Sequence, residues 1–268
     1  MKNFLFIILA FSYMSPVCSN ISNQNENKFN KQSPVIQDVQ KSALDSIQFK
    51  IYNSFVKSII DKSANPLNSI LGDLTNLYRE NPNNTILYWE AYLMYYKAIY
   101  YLKINDKSNS EKTILEGIDI FKDMQKKNSE DYALFAMLQS FSIQFTSGIK
   151  ASEISGEVKK NLELALDIDP LNLRANYVYA SNDFYTPAKY GGRKEVEKYL
   201  LKAISLPDQK VNNSFLASWG KEEAYAMLVR FYIEQEKWDL AKKYYQEGVE
   251  IFPGSYSINQ FASKLVGK

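Results

Sequence analysis

The stretch that decides the fold is residues 222–255, which read EEAYAMLVRFYIEQEKWDLAKKYYQEGVEIFPGS. Its large apolar residues recur at steps of three and four, which places them on one side of an α-helix. A second stripe contains small residues, which let two helices approach closely. Pro253 then ends the second helix, because proline has no amide hydrogen and clashes with the preceding turn. The first stripe is Tyr225, Leu228, Val229 and Tyr232, and the second is Ala241, Tyr245 and Gly248.

Within this unit of 34 residues, the two stripes stand at positions 4, 7, 8 and 11 and at positions 20, 24 and 27, with Pro253 at position 32. The spacing resembles the tetratricopeptide repeat (TPR). The resemblance implies a helix–turn–helix unit whose apolar face is hidden only by stacking on neighbouring units. It also implies a protein that binds partners and catalyses no reaction.

Weaker copies of the pattern run back along the chain. Helical periodicity predicts helices over about 40–62, 85–102, 131–149 and 152–169, with a polar loop at 105–110 and a short closing helix at about 256–266. A further helix has its apolar stripe at 70–77 and ends at Asn81–Pro82. No stretch alternates apolar and polar residues for long enough to predict a strand. We therefore expect an all-α fold, an α-solenoid of stacked antiparallel helix pairs that forms a right-handed TPR-like superhelix of about four or five pairs.

The amino terminus has the features of a targeting segment. Lys2 precedes an apolar run from Phe4 to Met14, and small residues follow, so we predict a signal peptide over 1–19. An alternative is a lipid on Cys18, although Val17 is large for the position before a modified cysteine. Residues 20–34 are polar and predict a disordered tether, and 35–268 would be the repeat domain. The expected location is the periplasm or cell surface of a bacterium, with membrane contact only through a lipid on Cys18.

The composition excludes several kinds of chemistry. The chain has no histidine, and cleavage after residue 19 would remove its one cysteine, so we expect no catalytic triad, no metal site and no cofactor. Acidic neighbours at Glu130–Asp131 and Glu222–Glu223 stand at predicted helix starts, where carboxylates stabilise the helix dipole. A net charge of +2 without clustered basic residues favours neither nucleic acid nor an anionic membrane as partner.

One inter-helix segment departs from the repeat pattern. Residues 182–194 read NDFYTPAKYGGRK and stand where a TPR has a tight turn. Its part from Tyr185 to Gly192, with Tyr190 before two glycines, is weakly similar to a loop of periplasmic TPR proteins associated with TRAP-type solute transporters. That resemblance implies a loop beside a cleft. The alternative is that the glycines only permit positive φ angles and the tyrosines pack on the neighbouring repeat.

A second set of candidates comes from the inner face of the first helices. In TPR proteins, positions 2, 5, 9, 12 and 13 of the first helix line the concave groove. Large aromatic residues at such positions are favoured anchors in binding surfaces. Alternatively, the amino-terminal helices bury the aromatic residues of the helix over 85–103, and these residues then contact no partner. Carried over by position, and together with Tyr190 of the loop, the predicted partner-binding residues are Trp89, Leu93, Tyr96, Asn182, Tyr185, Tyr190 and Arg230.

These observations predict an exported, non-catalytic interaction module that binds a protein or peptide in its concave groove. The alternative is a solute-binding accessory protein of a transport system, whose ligand would be a small solute. Trp219 lies in a predicted loop, and we expect it to pack near Tyr225 at the start of the last unit.

Overall fold

A computed structural model describes residues 44–207 and 214–268. Within these ranges the chain is helical, with no strand. The predicted signal peptide and polar tether lie outside the described residues. The longer helices are α1 (Ile47–Asp61), α2 (Asn65–Glu80), α3 (Asn84–Lys103), α4 (Lys107–Asp123), α5 (Ser129–Ser142), α6 (Gly148–Ile168), α7 (Leu173–Tyr185), α8 (Val196–Ser205), α9 (Lys221–Glu234) and α10 (Trp238–Ile251). Two short helices follow, α11 (Tyr256–Asn259) and α12 (Ala262–Leu265).

The long helices form five consecutive pairs in the described ranges. Each odd-numbered helix packs on the even-numbered helix that follows it, and each even-numbered helix also packs on the first helix of the next pair. The first helices contact one another from pair to pair, and α11 and α12 pack on the last pair. This stacking confirms the predicted α-solenoid, in which neighbours hide each other's apolar faces.

The last pair shows how the quoted stretch produces its geometry. Tyr225, Leu228 and Tyr232 of α9 are buried, as is Ala241 of α10. Gly248 lies so close to α9 and α11 that an added Cβ would stand 3.3 Å from the Tyr225 Cβ and 3.1 Å from an Ile258 methyl group. The predicted close helix approach is therefore confirmed.

Side chains cap the starts of several helices. In α3, α4, α5, α7 and α11 a side-chain oxygen accepts a hydrogen bond from an amide of the first turn, and each such cap stabilises by about 1 kcal/mol. The Asp131 carboxylate accepts from the Asn128 amide, and the Glu223 carboxylate accepts from the Gly220 amide. One carboxylate of each acidic pair therefore caps a helix start, as the sequence predicted, whereas Glu130 pairs with Arg174 and Glu222 accepts from the Ser255 hydroxyl.

Three predicted segments differ in extent from the structure. The helix predicted over about 40–62 is interrupted at Ser46, which has a left-handed φ of 54°, so α1 begins at Ile47; the predicted start near residue 40 lies outside the described residues. The helix predicted over 131–149 ends at Ser142, and Gly148, with a φ of 62°, begins α6. The predicted loop at 105–110 is shorter, because the Asp106 side chain caps α4.

The core contains two large clusters of buried side chains and a small third one of Ala133, Ala165 and Ala175. The first large cluster lies among α1 to α7 and includes Ala217 and Trp219 from the segment before α9. The second large cluster lies among α7 to α12. Among the helices of the described ranges, none combines the length and apolar character that a membrane span requires.

Candidate functional site

The inner surface of α3 belongs to the core. Trp89 is 1% exposed and Leu93 is 0% exposed. The Trp89 ring lies edge-on to Tyr88 and Tyr92, and its Nε1–H donates to the Phe215 carbonyl at 2.8 Å. The prediction that Trp89 and Leu93 contact a partner was therefore wrong, because the protein's own side chains and backbone cover both residues.

The covering backbone comes from a distant part of the sequence. Residues 214–219 precede α9, yet they lie against the first two helix pairs. The Ser46 amide donates to the Ser214 carbonyl at 3.0 Å, and the Ser218 amide donates to the Gln48 side chain at 2.8 Å. This segment, which we call the clasp (residues 214–219), links the start of the last pair to the first two pairs and covers part of the inner surface of α3.

Trp219 fixes the clasp between two helices that are not neighbours in the stack. Its ring stacks on Tyr92 of α3 at 6.0 Å and lies edge-on to Tyr177 of α7 at 6.3 Å. Its Nε1–H donates to the Tyr88 hydroxyl at 2.8 Å, and its carbonyl accepts from buried Arg174 at 3.3 Å. The expected packing of Trp219 near Tyr225 was therefore wrong, whereas its structural role is supported by an exposure of 5%.

Tyr96 lies between α1 and α3 and is partly exposed. Its ring contacts Phe55 at 5.2 Å, Tyr92 at 5.1 Å, Tyr95 at 5.8 Å and Tyr52 at 6.2 Å, all in edge-on geometry. Burial raises its pKa well above the usual value, and the nearby Glu223 carboxylate adds to the effect, so the hydroxyl stays protonated. Tyr96 therefore packs α1 on α3 and leaves only part of its ring at the surface.

The long loop between α7 and α8 folds back on the end of α7. The Thr186 amide and hydroxyl both donate to the Asn182 carbonyl, at 3.0 Å and 2.8 Å. Gly191 has a φ of 88°, and a Cβ on Gly192 would lie 2.1 Å from the Thr186 carbonyl oxygen. Only glycine fits this approach, so the two glycines serve to bring Arg193 over the end of α7.

Arg193 and Arg230 meet over the ring of Phe184. The two Cζ atoms lie 4.5 Å and 5.0 Å from the ring centroid. The Glu234 carboxylate joins the two guanidinium groups, at 2.5 Å from Arg193 Nη2 and 2.9 Å from Arg230 Nε. Arg230 Nη1 also donates to the Tyr185 hydroxyl at 3.3 Å. We call these five residues the arginine cluster.

Electrostatics keep the charges of the arginine cluster fixed. Burial favours the neutral form of Glu234, but hydrogen bonds from Arg193 and Arg230 outweigh this and hold its pKa below the ordinary value. Burial raises the pKa of Tyr185, although Arg230 counteracts the rise. At neutral pH the arginine cluster therefore contains two cations, one carboxylate and a neutral phenol.

The structure brings some predicted residues together and separates others. Tyr185 and Arg230 are in direct contact, and Asn182 lies one turn before Tyr185, where its side chain is 3.5 Å from the Ser140 hydroxyl. Tyr190 is 72% exposed and contacts Lys189 at the tip of the loop. Arg193, which lies inside the segment 182–194, and Glu234, which stands at an inner-face position of its helix, were not among the predicted binding residues. The spacing of Arg230 and Glu234 by four residues on one helix was the available signal.

A shallow surface pocket lies on α7 and α8, away from the arginine cluster. Its volume is about 520 Å³, and it is lined by Asn176, Lys198, Tyr199, Leu201, Lys202 and Ser205. Of its two lysines, Lys198 forms an ion pair with Glu195 at 3.0 Å.

Comparisons with known proteins support the fold. No profile of a known protein family and no curated protein sequence matches the chain. Among solved structures, the crystal structure of a thermophilic TPR protein from Thermus thermophilus is similar, with a TM-score of 0.53 and 16% identity. The alignment covers 81% of this chain and 99% of that chain. The chain therefore has a TPR-like α-solenoid fold.

Proposed function

We propose that the protein is a non-catalytic interaction module that binds a protein or peptide segment on the carboxyl-terminal half of its inner face. The observation that carries the proposal is the contact between Tyr185 and Arg230, which lie on the first helices of two successive pairs. TPR-like stacking holds such residues on rigid helices, so little conformational entropy is lost on binding. On the amino-terminal half, the clasp covers Trp89.

The proposed surface combines an exposed aromatic ring with groups that form directed hydrogen bonds. Tyr190 stands at the loop tip, and Tyr185, Arg230 and Asn182 are all partly exposed. Aromatic residues and arginine are enriched among residues that dominate binding energy. The surface therefore suits a segment with both apolar and polar side chains.

Affinity capture with the chain from residue 20 onward tests the proposal. A variant with Tyr185→Phe and Arg230→Gln removes one hydroxyl and one guanidinium group while keeping side-chain bulk. The matched control is Arg79→Gln, because Arg79 is exposed on α2 and far from this surface in the stack. We expect specific partners from envelope extracts to be lost with the double variant and retained with the control. Identical capture by all three proteins would contradict the proposal.

We also propose that the chain is exported, on the strength of the apolar run near its amino terminus. Intact mass of the protein recovered from the periplasm tests this. Cleavage after residue 19 leaves a chain that starts at Asn20, whereas a lipid on Cys18 gives a heavier, membrane-bound chain. A full-length chain confined to the cytoplasm would contradict export.

A second candidate function is solute binding for a transport system. It is favoured by the pocket on α7 and α8, which Lys198 and Lys202 line, and by the two guanidinium groups of the arginine cluster. A thermal-shift panel of small organic acids tests it. A flat response across the panel would argue against solute binding.

A further inference from the structure

Arginine is rare in this chain, and its placement is specific. Lysine and arginine together number 32, yet the only arginines are Arg79, Arg174, Arg193 and Arg230. Arg174 forms a buried pair with Glu130, and two of the other three meet at one carboxylate. A lysine could not replace them there, because only a planar guanidinium stacks on a ring and donates several fixed hydrogen bonds at once.

The hydrogen bonds of the two guanidinium groups leave one Nη atom of each group unused. Arg193 uses Nε for the Phe184 carbonyl and Nη2 for Glu234. Arg230 uses Nε for Glu234 and Nη1 for Tyr185. Within residues 44–207 and 214–268, Arg193 Nη1 and Arg230 Nη2 have no hydrogen-bond partner. The two side chains are 40% and 41% exposed, so these donors are accessible to a ligand.

The arginine cluster carries an unbalanced charge. Two guanidinium groups face one internal carboxylate, and the stack on Phe184 holds both in place. A second carboxylate would balance the charge and accept the unused donors. Charge-assisted hydrogen bonds of this kind are about twice as strong as neutral ones.

The backbone at Arg193 is in a left-handed conformation, and its side chain lies over Phe184. Arg193 has a φ of 67°, a left-handed conformation that is unfavourable for a non-glycine residue. Its amide donates to the Asp183 carbonyl at 2.9 Å, which holds the strained conformation. Gly191 and Gly192 already reverse the chain, so the turn itself does not require a large side chain at residue 193.

We propose that Arg193 and Arg230 form a receptor for a carboxylate group of the ligand, with the Tyr185 hydroxyl at its edge. The carboxylate belongs to an acidic side chain or carboxyl terminus of a peptide, or to a free organic acid. This inference deepens the proposed function, on which it rests, by naming the chemical group that the surface recognises.

Nuclear magnetic resonance of the arginine side chains tests the receptor directly. The chain has four arginine Nε–Hε groups, and those of Arg79 and Arg174 serve as internal controls. The probes are succinate and the peptide pair Ac-Ala-Glu-Ala-NH2 and Ac-Ala-Gln-Ala-NH2, titrated to tens of millimolar, roughly the range in which weak single-group contacts saturate. Sodium chloride at equal ionic strength controls for screening.

We expect saturable shifts of the Arg193 and Arg230 signals with succinate or the glutamate peptide, and none with the glutamine peptide. Arg193→Lys or Arg230→Lys should weaken carboxylate binding roughly tenfold, because lysine keeps the charge but lacks the planar guanidinium group with its several fixed donors. Glu234→Gln should strengthen it severalfold by removing the internal competitor. No saturable shift with either carboxylate, or equal shifts of Arg79, would overturn the inference.

The two ligand sources and the two proposals remain separable. Tighter binding of succinate than of the glutamate peptide identifies a free acid, and the reverse order identifies a peptide. Carboxylate binding without any captured partner would leave the receptor in place and remove the protein-interaction proposal. Partner capture that survives Arg193→Lys and Arg230→Lys, with no shift on addition of a carboxylate, would remove the receptor and leave the protein-interaction proposal in place.

Discussion

Replacing Trp219 with alanine should destabilise the whole array. The Trp219 ring is 5% exposed, stacks on Tyr92 and contacts Tyr177 two helix pairs away. In an ordinary solenoid each repeat contacts only its neighbours, so stability is a sum of local terms. The clasp adds a contact between distant pairs, and Trp219 is its largest buried side chain.

The magnitude follows from burial and hydrogen bonding. Truncating a buried tryptophan to alanine costs about 3–5 kcal/mol. Trp219→Phe keeps most of the ring but loses the bond from Nε1–H to Tyr88, which is worth about 1 kcal/mol. For a chain of this size, 1 kcal/mol corresponds to roughly 2–4 °C in melting temperature. Trp219→Ala should therefore lower the melting temperature by about 6–20 °C, and Trp219→Phe by a few degrees.

Urea unfolding followed by circular dichroism measures both the free energy of unfolding and its cooperativity. Loss of the clasp should also reduce the m-value, because distant pairs would then unfold less as one unit. Tyr190→Ala is the control, because Tyr190 is 72% exposed and should change stability by no more than about 0.5 kcal/mol. If Trp219→Ala lost less than about 1 kcal/mol, comparable to that control, the clasp would be a surface appendage and the reasoning would be wrong.

Three further substitutions test separate parts of the structure. Burial raises the pKa of Asp131 to about 6, so the folded state holds its proton more tightly, and stability should fall as pH rises from about 4 to 6. Asp131→Asn should remove that fall and stabilise at pH 7 by up to about 3 kcal/mol, and parallel melting curves across pH would contradict this. Arg174→Ala removes the buried partner of a carboxylate and should cost about 3–5 kcal/mol in urea unfolding, whereas a loss below about 1 kcal/mol would count against it. Gly192→Ala should displace the loop, because its Cβ would lie 2.1 Å from the Thr186 carbonyl oxygen. The Arg193 side-chain resonance should then change its chemical shift. The matched control is Gly156→Ala in α6, because a Cβ on Gly156 would have no atom within 4 Å.

Local spacing was enough to predict the repeat architecture. The stripes of α9 and α10, the close approach at Gly248 and the helix caps all depend on residues within about one repeat, so sequence reasoning could reach them. Helix ends were less predictable, since the breaks at Ser46 and Gly148 depend on backbone angles that composition alone does not fix.

The candidate site was predictable only in part. Tyr185 and Arg230 follow from position within the repeat, and the structure places them in contact. Trp89 was assigned to the surface because the other stripe of α3 already filled the packing positions, yet the clasp covers it. Arg193 was overlooked because its role depends on a folded-back loop and not on a helical position.

By itself, the sequence determined that this chain forms stacked helix pairs, because amphipathic periodicity and small residues at close contacts act within neighbouring turns. The tertiary structure alone decided which inner-face residues stay accessible. The contact between Trp89 and Phe215 spans 126 positions, and that between Ser218 and Gln48 spans 170. No local pattern encodes such contacts, because they arise only when the curved array brings its distant pairs within reach of the clasp.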